Sequence, residues 1–316
     1  MACGSVMRRN TLGKSTVTAS VVGLGTWPLG GGYDWGPVSA EESVRLVHAA
    51  LARGVNLIDT APVYGNGESE LLLGRALNGK RKQVVLASKC GLVKNGSWTD
   101  HDLRPCAIRT QLEGSLARLK TDYVDLYFIH YPDPNVPLAE AVGALVRLKE
   151  EGKIRQIGVC NVSAGQLVQA AQIAEIACVQ NEYSLLHPGA GEEVFACCRQ
   201  LQISFMGYGT LCGGMLSGKY KREPNFRRAD ARNYFYKTAR GTAFTCALQK
   251  ARRVEQIARN KGVSAAAVAG AWALTKADFI LCGAKTVEQM QQNACAEAVY
   301  LSPEEIAFLE QADACK

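Results

Sequence analysis

The sequence predicts an α/β protein folded as a single (β/α)8 barrel. Apolar runs of β type alternate with segments of helical periodicity, and the chain contains eight such strand–helix units. Parallel strands need crossover connections, so this alternation indicates a parallel sheet with helices outside it. Eight units in roughly 300 residues suit a closed barrel. No Pro/Gly/Ser linker or change in composition divides the chain, so we expect one domain over residues 1–316.

The first strand is VVGLG (21–25), and the helix after it begins near Ser39, where SAEE is typical of a capping box. The later strands are VNLID (55–59), VVLASK (84–89), YVDLYFIH (123–130), IRQIGVCN (154–161), ACVQNEYS (177–184), ISFMGYG (203–209) and DFILCG (278–283). The later helices are ESELLLGRAL, RPCAIRTQLEGSLARLK, LAEAVGALVRLKEEGK, SAGQLVQAAQIAE, GEEVFACCRQL, ALQKARRVEQIARNKG and TVEQMQQNACAEA.

Three further segments complete the predicted barrel. MRRNTLGKSTVTAS (7–20) predicts an N-terminal β-hairpin that plugs the bottom, and SPEEIAFLEQADA (302–314) predicts a C-terminal helix capped by Ser302. The connection 212–244 is long enough to be a functional loop.

The rival fold is a doubly wound dinucleotide-binding domain. GLGTWPLGGG (23–32) does not match its G-x-G-x-x-G fingerprint, because Trp27 and Pro28 interrupt the turn into a helix.

Composition excludes several classes of protein. The formal charge is +7, but the basic clusters GKRK (79–82) and FRRADAR (226–232) lack interleaved aromatic residues, so we interpret them as solvated surface and expect no nucleic-acid partner. No apolar stretch is long enough to span a membrane, and no signal-type segment follows the N-terminus, which favours the cytoplasm. The twelve cysteines include no CxxC spacing. We therefore expect no metal, and reduced thiols packed as small hydrophobes at Cys160, Cys178 and Cys282.

Polar side chains follow three adjacent predicted strands. Asp59 ends the second strand with Tyr64 just beyond it, Lys89 ends the third, and His130 ends the fourth. Each alone could be a cap, a rim residue, a snorkelling lysine or a core histidine. Together they should converge on the mouth of the barrel. An unpaired buried Asp or Lys is costly, so we expect Asp59 and Lys89 to pair. A cation beside a phenol lowers its pKa, and such a tyrosine can donate a proton to a developing alkoxide.

These residues lie in motifs that resemble the aldo-keto reductase superfamily, and the resemblance covers essentially the whole chain. The motifs are IDTAPVYGNGESELLLGRAL, ASK, DYVDLYFIH, GKIRQIGVCN, VQNEYS, GGMLSGKY and GAKTVEQMQQN. The resemblance implies a TIM barrel that binds NADPH across its mouth and reduces aldehyde or ketone carbonyls by hydride transfer. It implies four catalytic positions: Tyr64 as general acid, Asp59 and Lys89 lowering its pKa, and His130 orienting the carbonyl.

The remaining strand ends fit the cofactor. Asn161 and Gln180 carry amides suited to a nicotinamide carboxamide, and Tyr208 carries a ring to stack on its face. Backbone N–H groups of 207–220 and the start of the last barrel helix suit phosphates. The predicted cofactor-binding set is Thr26, Trp27, Asp59, Asn161, Gln180, Tyr208, Gly209, Thr210, Leu211, Gly213, Lys219, Gly283, Lys285, Gln289, Gln292 and Asn293.

The sequence departs from the family pattern at a few of these positions. Cys160 stands where Ser is frequent, YGT replaces YSP after strand seven, Gln289 stands where many members have Arg, and Gln292 where Glu is common. We expect NADPH as cofactor, with NADH as an alternative.

The sequence identifies neither the physiological substrate nor the oligomeric state. An aromatic substrate pocket is predicted from Trp27, Tyr33, Trp35, Trp98 and Tyr131. The alternative function is a nucleotide-binding, redox-sensing regulatory barrel that acts as a partner subunit. The intact residues Asp59, Tyr64, Lys89 and His130 do not exclude it, although the lack of an extra N-terminal segment argues against it.

Overall fold

Strands and helices alternate along the computed structural model, which describes residues 6–95, 98–189, 191–236 and 238–312. The strands are β1 (Arg9–Thr11), β2 (Thr18–Ser20), β3 (Val22–Gly25), β4 (Leu57–Asp59), β5 (Val85–Cys90), β6 (Leu92–Asn95), β7 (Trp98–His101), β8 (Val124–Ile129), β9 (Ile154–Cys160), β10 (Ile176–Glu182), β11 (Ser204–Tyr208) and β12 (Phe279–Gly283). The α-helices are α1 (Gly32–Trp35), α2 (Ala40–Ala52), α3 (Glu68–Ala76), α4 (Pro105–Leu119), α5 (Leu138–Glu150), α6 (Ala164–Ile173), α7 (Gly191–Leu201), α8 (Gly241–Lys261), α9 (Ala265–Ala273), α10 (Val287–Ala294) and α11 (Pro303–Glu310).

Eight parallel strands close into a barrel in the order β3–β4–β5–β8–β9–β10–β11–β12, and β12 pairs with β3. The predicted (β/α)8 fold is therefore confirmed. The inside of the barrel is packed with apolar side chains, including Leu57, Phe128 and Phe279. Gly158 makes room for the Phe128 ring, because a Cβ at this position would collide with it. The barrel is a core rather than a channel, and chemistry is confined to its ends.

Helices surround the barrel and bury their apolar faces against it. On α2 the buried face includes Leu46, Val47 and Ala50, spaced as helical periodicity requires. Ser39 caps this helix by accepting a hydrogen bond from the backbone N–H of Glu42, and Ser302 forms a reciprocal capping box at the start of α11. The predicted helix starts at Ser39 and Ser302 are confirmed.

The N-terminal hairpin closes the bottom of the barrel as predicted. Strands β1 and β2 pair antiparallel, and Leu12 and Ala19 of the hairpin pack with the side chains inside the barrel. The backbone N–H of Gly13 donates to Ser204 Oγ at 2.8 Å, which fixes the hairpin to the start of β11. The mouth at the opposite end, where the strands finish, is left for a site.

Several features were not predicted, including the short helix α1. Strands β6 and β7 form a second hairpin after β5, and α9 is an additional helix. Helix α8 begins at Gly241, earlier than its charged periodic segment suggested, because Phe244 and Ala247 pack against Cys212 and Met215 of the connection after β11. Within the described ranges, no helix has the length and apolar character needed to cross a membrane.

Candidate active site

Local backbone geometry brings Asp59, Tyr64 and Lys89 to one point of the mouth. Asp59 is the last residue of β4, and its carbonyl oxygen accepts hydrogen bonds from the N–H and hydroxyl of Thr26 at 2.9 and 2.8 Å. Tyr64 starts a 3-10 helix in which Gly65 has a φ of 60°. A side chain at Gly65 would collide with the Gly30 backbone, so glycine is required where this turn meets the first barrel loop.

The Lys89 ammonium links the other two side chains. Lys89 is fully buried, and its Nζ donates to Asp59 Oδ1 at 2.6 Å, to the Thr60 carbonyl at 2.9 Å and to the Tyr64 hydroxyl at 3.1 Å. All three ammonium hydrogens therefore have acceptors. The second carboxylate oxygen of Asp59 accepts from Gln180 Nε2 at 2.9 Å. The expected Asp59–Lys89 contact is present, and Gln180 belongs to the same network.

The pKa of Tyr64 differs from the sequence expectation. Burial raises the pKa of the phenol, and the nearby Asp59 raises it further. The charge of Lys89 lowers this pKa but does not outweigh burial, so the pKa lies above its ordinary value. The expected net lowering is therefore wrong for this structure. Burial also lowers the pKa of Lys89, but the opposing effects of Asp59 and Tyr64 are larger and raise it overall. At neutral pH the phenol is protonated and the ammonium is charged.

His130 lies beside the phenol, immediately after β8. Its ring centroid is 6.0 Å from that of Tyr64 in an edge-on arrangement and 5.4 Å from that of Tyr131. Burial lowers the pKa of His130 well below its ordinary value, and Lys89 lowers it further. The imidazole is therefore neutral at pH 7, with one ring nitrogen available as a donor.

A cavity of about 310 Å³ runs from the Asp59–Tyr64 end of the mouth, past Tyr208, to α10. Its lining includes most of the predicted cofactor-binding set, namely Trp27, Asp59, Gln180, Tyr208, Gly209, Thr210, Leu211, Gly213, Lys219, Gly283, Lys285, Gln289, Gln292 and Asn293. Such a long groove at the carboxyl ends of barrel strands is the usual place for an extended ligand in this fold.

Two predicted residues, Thr26 and Asn161, do not line this cavity. Thr26 is completely buried, and its hydroxyl donates to the Asp59 carbonyl oxygen. Thr26 therefore stabilises the backbone of the site without lining the cavity. Asn161 donates to the His130 carbonyl at 2.8 Å and accepts from the Tyr208 hydroxyl at 2.7 Å. Its amide is engaged with protein groups, as is the Gln180 amide. These contacts hold the two amides at the mouth, and their contact with a nicotinamide carboxamide stays a prediction.

The far end of the cavity carries three cations, one of which was not identified from the sequence. Arg232 lines the cavity with a side chain only 17% exposed, whereas its basic cluster was interpreted as solvated surface. That interpretation is wrong for Arg232. Its guanidinium bonds to both carboxylate oxygens of Asp230 at 2.7 and 2.6 Å, and to the Tyr220 hydroxyl at 3.0 Å. The alternation of acid and base in RADAR could have indicated such a pair.

Within the described part of the chain, neither Lys219 nor Lys285 forms an ion pair like that of Arg232 with Asp230. Although much of Lys219 is exposed, partial burial of its ammonium together with Arg232 and Lys285 lowers its pKa to about 8. Burial and Arg232 also lower the pKa of Lys285, whose ammonium donates to the Trp35 carbonyl. Mutual repulsion among these cations makes this end of the cavity favourable for an anion.

The predicted substrate residues separate into three groups. Trp27 stacks on Tyr64 at 6.0 Å between ring centroids, and Tyr131 lies beside His130. Trp35 lies instead at the cationic end, with its ring 5.3 Å from the Arg232 guanidinium. Trp98 is 77% exposed on β7 and does not line the cavity, so its assignment is wrong for this structure. The Tyr33 side chain lies outside the described part of the chain.

Phe235 was missed by the sequence reasoning. The centroid of its ring is 5.1 Å from that of Trp27 and 6.4 Å from that of Tyr208, so Phe235 lies between these two aromatic rings. It belongs to the long connection after β11, in which no periodic signal indicated an inward-facing residue.

Comparison with known proteins gives a consistent result. The model of the family described as "Aldo/keto reductase family" matches residues 21–314. The Bacillus subtilis protein named aldo-keto reductase YhdN is 37% identical over 291 residues, covering 90% of this chain and 87% of that protein. The Escherichia coli NADH-specific methylglyoxal reductase is 33% identical over 322 residues, covering 96% and 98%. A glycerol dehydrogenase structure from Gluconobacter oxydans aligns with a TM-score of 0.86 at 34% identity, covering 98% and 94%. These relatives are named as enzymes, so the regulatory-subunit alternative is not favoured.

Proposed function

The chain belongs to the aldo/keto reductase family of oxidoreductases that act on carbonyls with nicotinamide cofactors, and we propose that it reduces aldehydes or ketones with Tyr64 as general acid. The observation that carries this proposal is the fully buried Lys89 ammonium, which contacts both Asp59 and the Tyr64 hydroxyl at the mouth. Burying a charge pair such as this one is costly. Its placement against a phenol beside a long cavity supports a chemical use.

Tyr64 supplies the proton in this proposal. Its raised pKa keeps the hydroxyl protonated at neutral pH, which a general acid requires. As negative charge develops on the substrate oxygen, the proton moves from the Tyr64 hydroxyl to that oxygen. The Lys89 ammonium, 3.1 Å from the phenolic oxygen, then stabilises the phenolate left behind. Asp59 is a positioning residue that holds Lys89 in place.

His130 orients the carbonyl. A neutral imidazole donates one N–H without offering a competing acidic proton, and the lowered pKa of His130 keeps it in this form. Its ring centroid is 6.0 Å from that of Tyr64, so the two potential donors lie in the same region of the mouth. Two donors directed at one oxygen would fix the carbonyl and stabilise the charge that develops there.

The cavity fits a reduced nicotinamide dinucleotide. Gly209, Thr210 and Gly213 line the same cavity as the aromatic ring of Tyr208 and the cations Lys219 and Lys285. A phosphate-rich ligand would relieve the repulsion that lowers the pKa values of these two lysines. When bound, the cofactor supplies the hydride. The protein holds the cofactor along the groove, and Trp27 and Phe235 exclude water from the site.

We propose NADPH rather than NADH as the preferred cofactor. Arg232 is already neutralised by Asp230, so Lys285 is the cation best placed to select a 2′-phosphate at the start of α10. Gln289 offers no charge, and its Oε1 accepts from the Lys285 backbone N–H at 2.9 Å. One charge-assisted contact is worth about 1.5–3 kcal/mol, which predicts a preference of roughly ten- to a hundredfold.

The proposal is tested by incubating the purified chain with NADPH and a panel of aldehydes and ketones. Consumption of NADPH should match formation of the alcohol one to one, and it should depend on the added carbonyl. Dinucleotide binding without turnover of any carbonyl in the panel would contradict the assignment as a reductase.

A further inference from the structure

A group of three metal-ligating side chains lies beside the cavity and takes no part in the proposed reaction. The group consists of Glu182 at the end of β10, His187 in the following turn, and Cys212 in the connection after β11. One ligand atom from each lies within 4.8 Å of the other two. The three positions follow no short metal-binding motif, so spacing along the chain could not indicate them.

The backbone holds these residues together independently of any ion. Glu182 pairs with Tyr208 in the parallel register of β10 and β11. The next turn folds back on itself, because Ser184 and His187 exchange backbone hydrogen bonds of 3.1 and 3.0 Å, and this returns His187 to the end of the strand. Cys212 has a φ of 47°, and its N–H donates to the Gly209 carbonyl at 2.7 Å. Such strained backbone at a non-glycine residue is often found at functional sites.

Ser184 supports the cysteine sulfur. Its Oγ accepts the backbone N–H groups of Leu186 and His187 at 3.3 and 3.1 Å, and it lies 3.4 Å from Cys212 Sγ. With both acceptor positions used, the hydroxyl hydrogen is left to point at the sulfur. A hydrogen bond of this kind stabilises a thiolate and orients a metal ligand.

We propose that Glu182, His187 and Cys212 form a zinc site. Zinc accepts sulfur, imidazole nitrogen and carboxylate oxygen together, at about 2.0–2.3 Å in a tetrahedral arrangement. Tetrahedral ligand atoms are then about 3.3–3.8 Å apart, so ligand atoms that now lie within 4.8 Å of one another need to close by no more than about 1.5 Å. Zn²⁺ with one carboxylate, one thiolate and one neutral imidazole carries no net charge, which suits a partly buried position. Coordination exchanges the thiol proton for the metal, and the proton leaves to water.

The site has an entry path and an open position. Cys212 is buried, whereas Glu182 and His187 are half-buried, so an ion can approach from their side. Three protein ligands leave the fourth tetrahedral position to water or another small ligand. Cys212 begins the 3-10 helix Cys212–Ser217 and lines the cavity at the mouth, so the bound ion ties this cavity-lining segment to β10.

The experiment uses the whole chain, reduced and treated with a chelator, and titrates it with Co²⁺ as a spectroscopic substitute for zinc. The wild type should bind one Co²⁺ with a thiolate-to-cobalt charge-transfer band, and stoichiometric Zn²⁺ should remove that band. Cys212→Ser should lose the band. His187→Gln and Glu182→Gln should weaken Zn²⁺ binding at least as much as the roughly 100-fold that changes around a metal site can cause. Cys106→Ser, an exposed cysteine on α4, is the matched control and should keep both properties.

Glu182→Gln is the variant most compatible with folding, because it keeps the shape of a half-buried side chain. Circular dichroism verifies the fold of each variant before titration. A wild-type chain without a charge-transfer band overturns the proposal. A band and a zinc affinity that are unchanged in all three ligand variants also overturn it, because the ion then binds elsewhere.

Discussion

The buried pair of Asp59 and Lys89 predicts a large energetic coupling in unfolding. Their charged atoms are 2.6 Å apart, and the side chains are 3% and 0% exposed. Among the described residues, Lys89→Met leaves the Asp59 carboxylate with Gln180 as its side-chain donor, and Asp59→Asn removes the carboxylate that pairs with the ammonium. Breaking a buried pair in this way typically costs about 3–5 kcal/mol. The double variant removes both charges, so it should lose no more stability than the worse single variant.

The assay is urea unfolding at pH 7, followed by tryptophan fluorescence and by circular dichroism for all four chains. The loss in free energy of unfolding in the double variant should be smaller than the sum of the losses in the two single variants. The difference, which is the coupling energy, should be at least about 2 kcal/mol. The exposed pair Lys276 and Glu192 serves as control, and Lys276→Met with Glu192→Gln should give no resolvable coupling. Additivity of the Asp59 and Lys89 losses to within about 0.5 kcal/mol would refute the buried-pair reasoning.

Three further predictions concern the cavity. Lys285→Met should bring the dissociation constants of NADPH and NADH close to parity, measured by fluorescence quenching; a preference that survives intact would remove Lys285 from the 2′-phosphate assignment. Lys219 has a pKa of about 8 that a bound phosphate should raise, so NADPH affinity should fall as pH rises above about 8. This decrease in NADPH affinity with rising pH should disappear in Lys219→Met. It should persist in Lys82→Met, because Lys82 is exposed at the other end of the barrel. Trp98→Ala should leave NADPH affinity unchanged, because Trp98 is exposed, and a tenfold loss would place the β6–β7 hairpin over the cofactor.

The sequence predicted the barrel because its signals are local and repeated. Eight β-type runs alternate with helices. Capping residues such as Ser39 and Ser302 indicate where helices begin, because their side chains accept hydrogen bonds from the first turn. The convergence of Asp59, Lys89 and His130 followed from the same reasoning, since the carboxyl ends of parallel strands share one mouth. The helix α9 was missed because its nine residues, AAAVAGAWA, are buried throughout and show no polar face to reveal a period.

The predictions that were wrong concern pKa shifts and contacts between residues far apart in the sequence. The net pKa shift of Tyr64 depends on burial, which opposes the visible charge of Lys89 and cannot be inferred from residue types. Arg232 lies in a long connection whose path brings it to the cavity, whereas Trp98 is exposed on the β6–β7 hairpin and does not line the cavity. The expectation of no metal rested on spacing along the chain, whereas Glu182, His187 and Cys212 meet only after folding. The cytoplasmic location stays a prediction.

The role of Tyr64 is tested most directly by comparing wild-type and Tyr64→Phe chains in single-turnover reduction of one aldehyde with saturating NADPH. Removing a general acid typically costs about 10²–10⁴-fold in rate, while the dissociation constant of NADPH should stay within about threefold. Tyr123 lies immediately before β8, at the end of the strand away from the mouth, so Tyr123→Phe should react like the wild type. A Tyr64→Phe chain that keeps more than about a tenth of the wild-type rate would contradict the proposed role of Tyr64 as the proton donor.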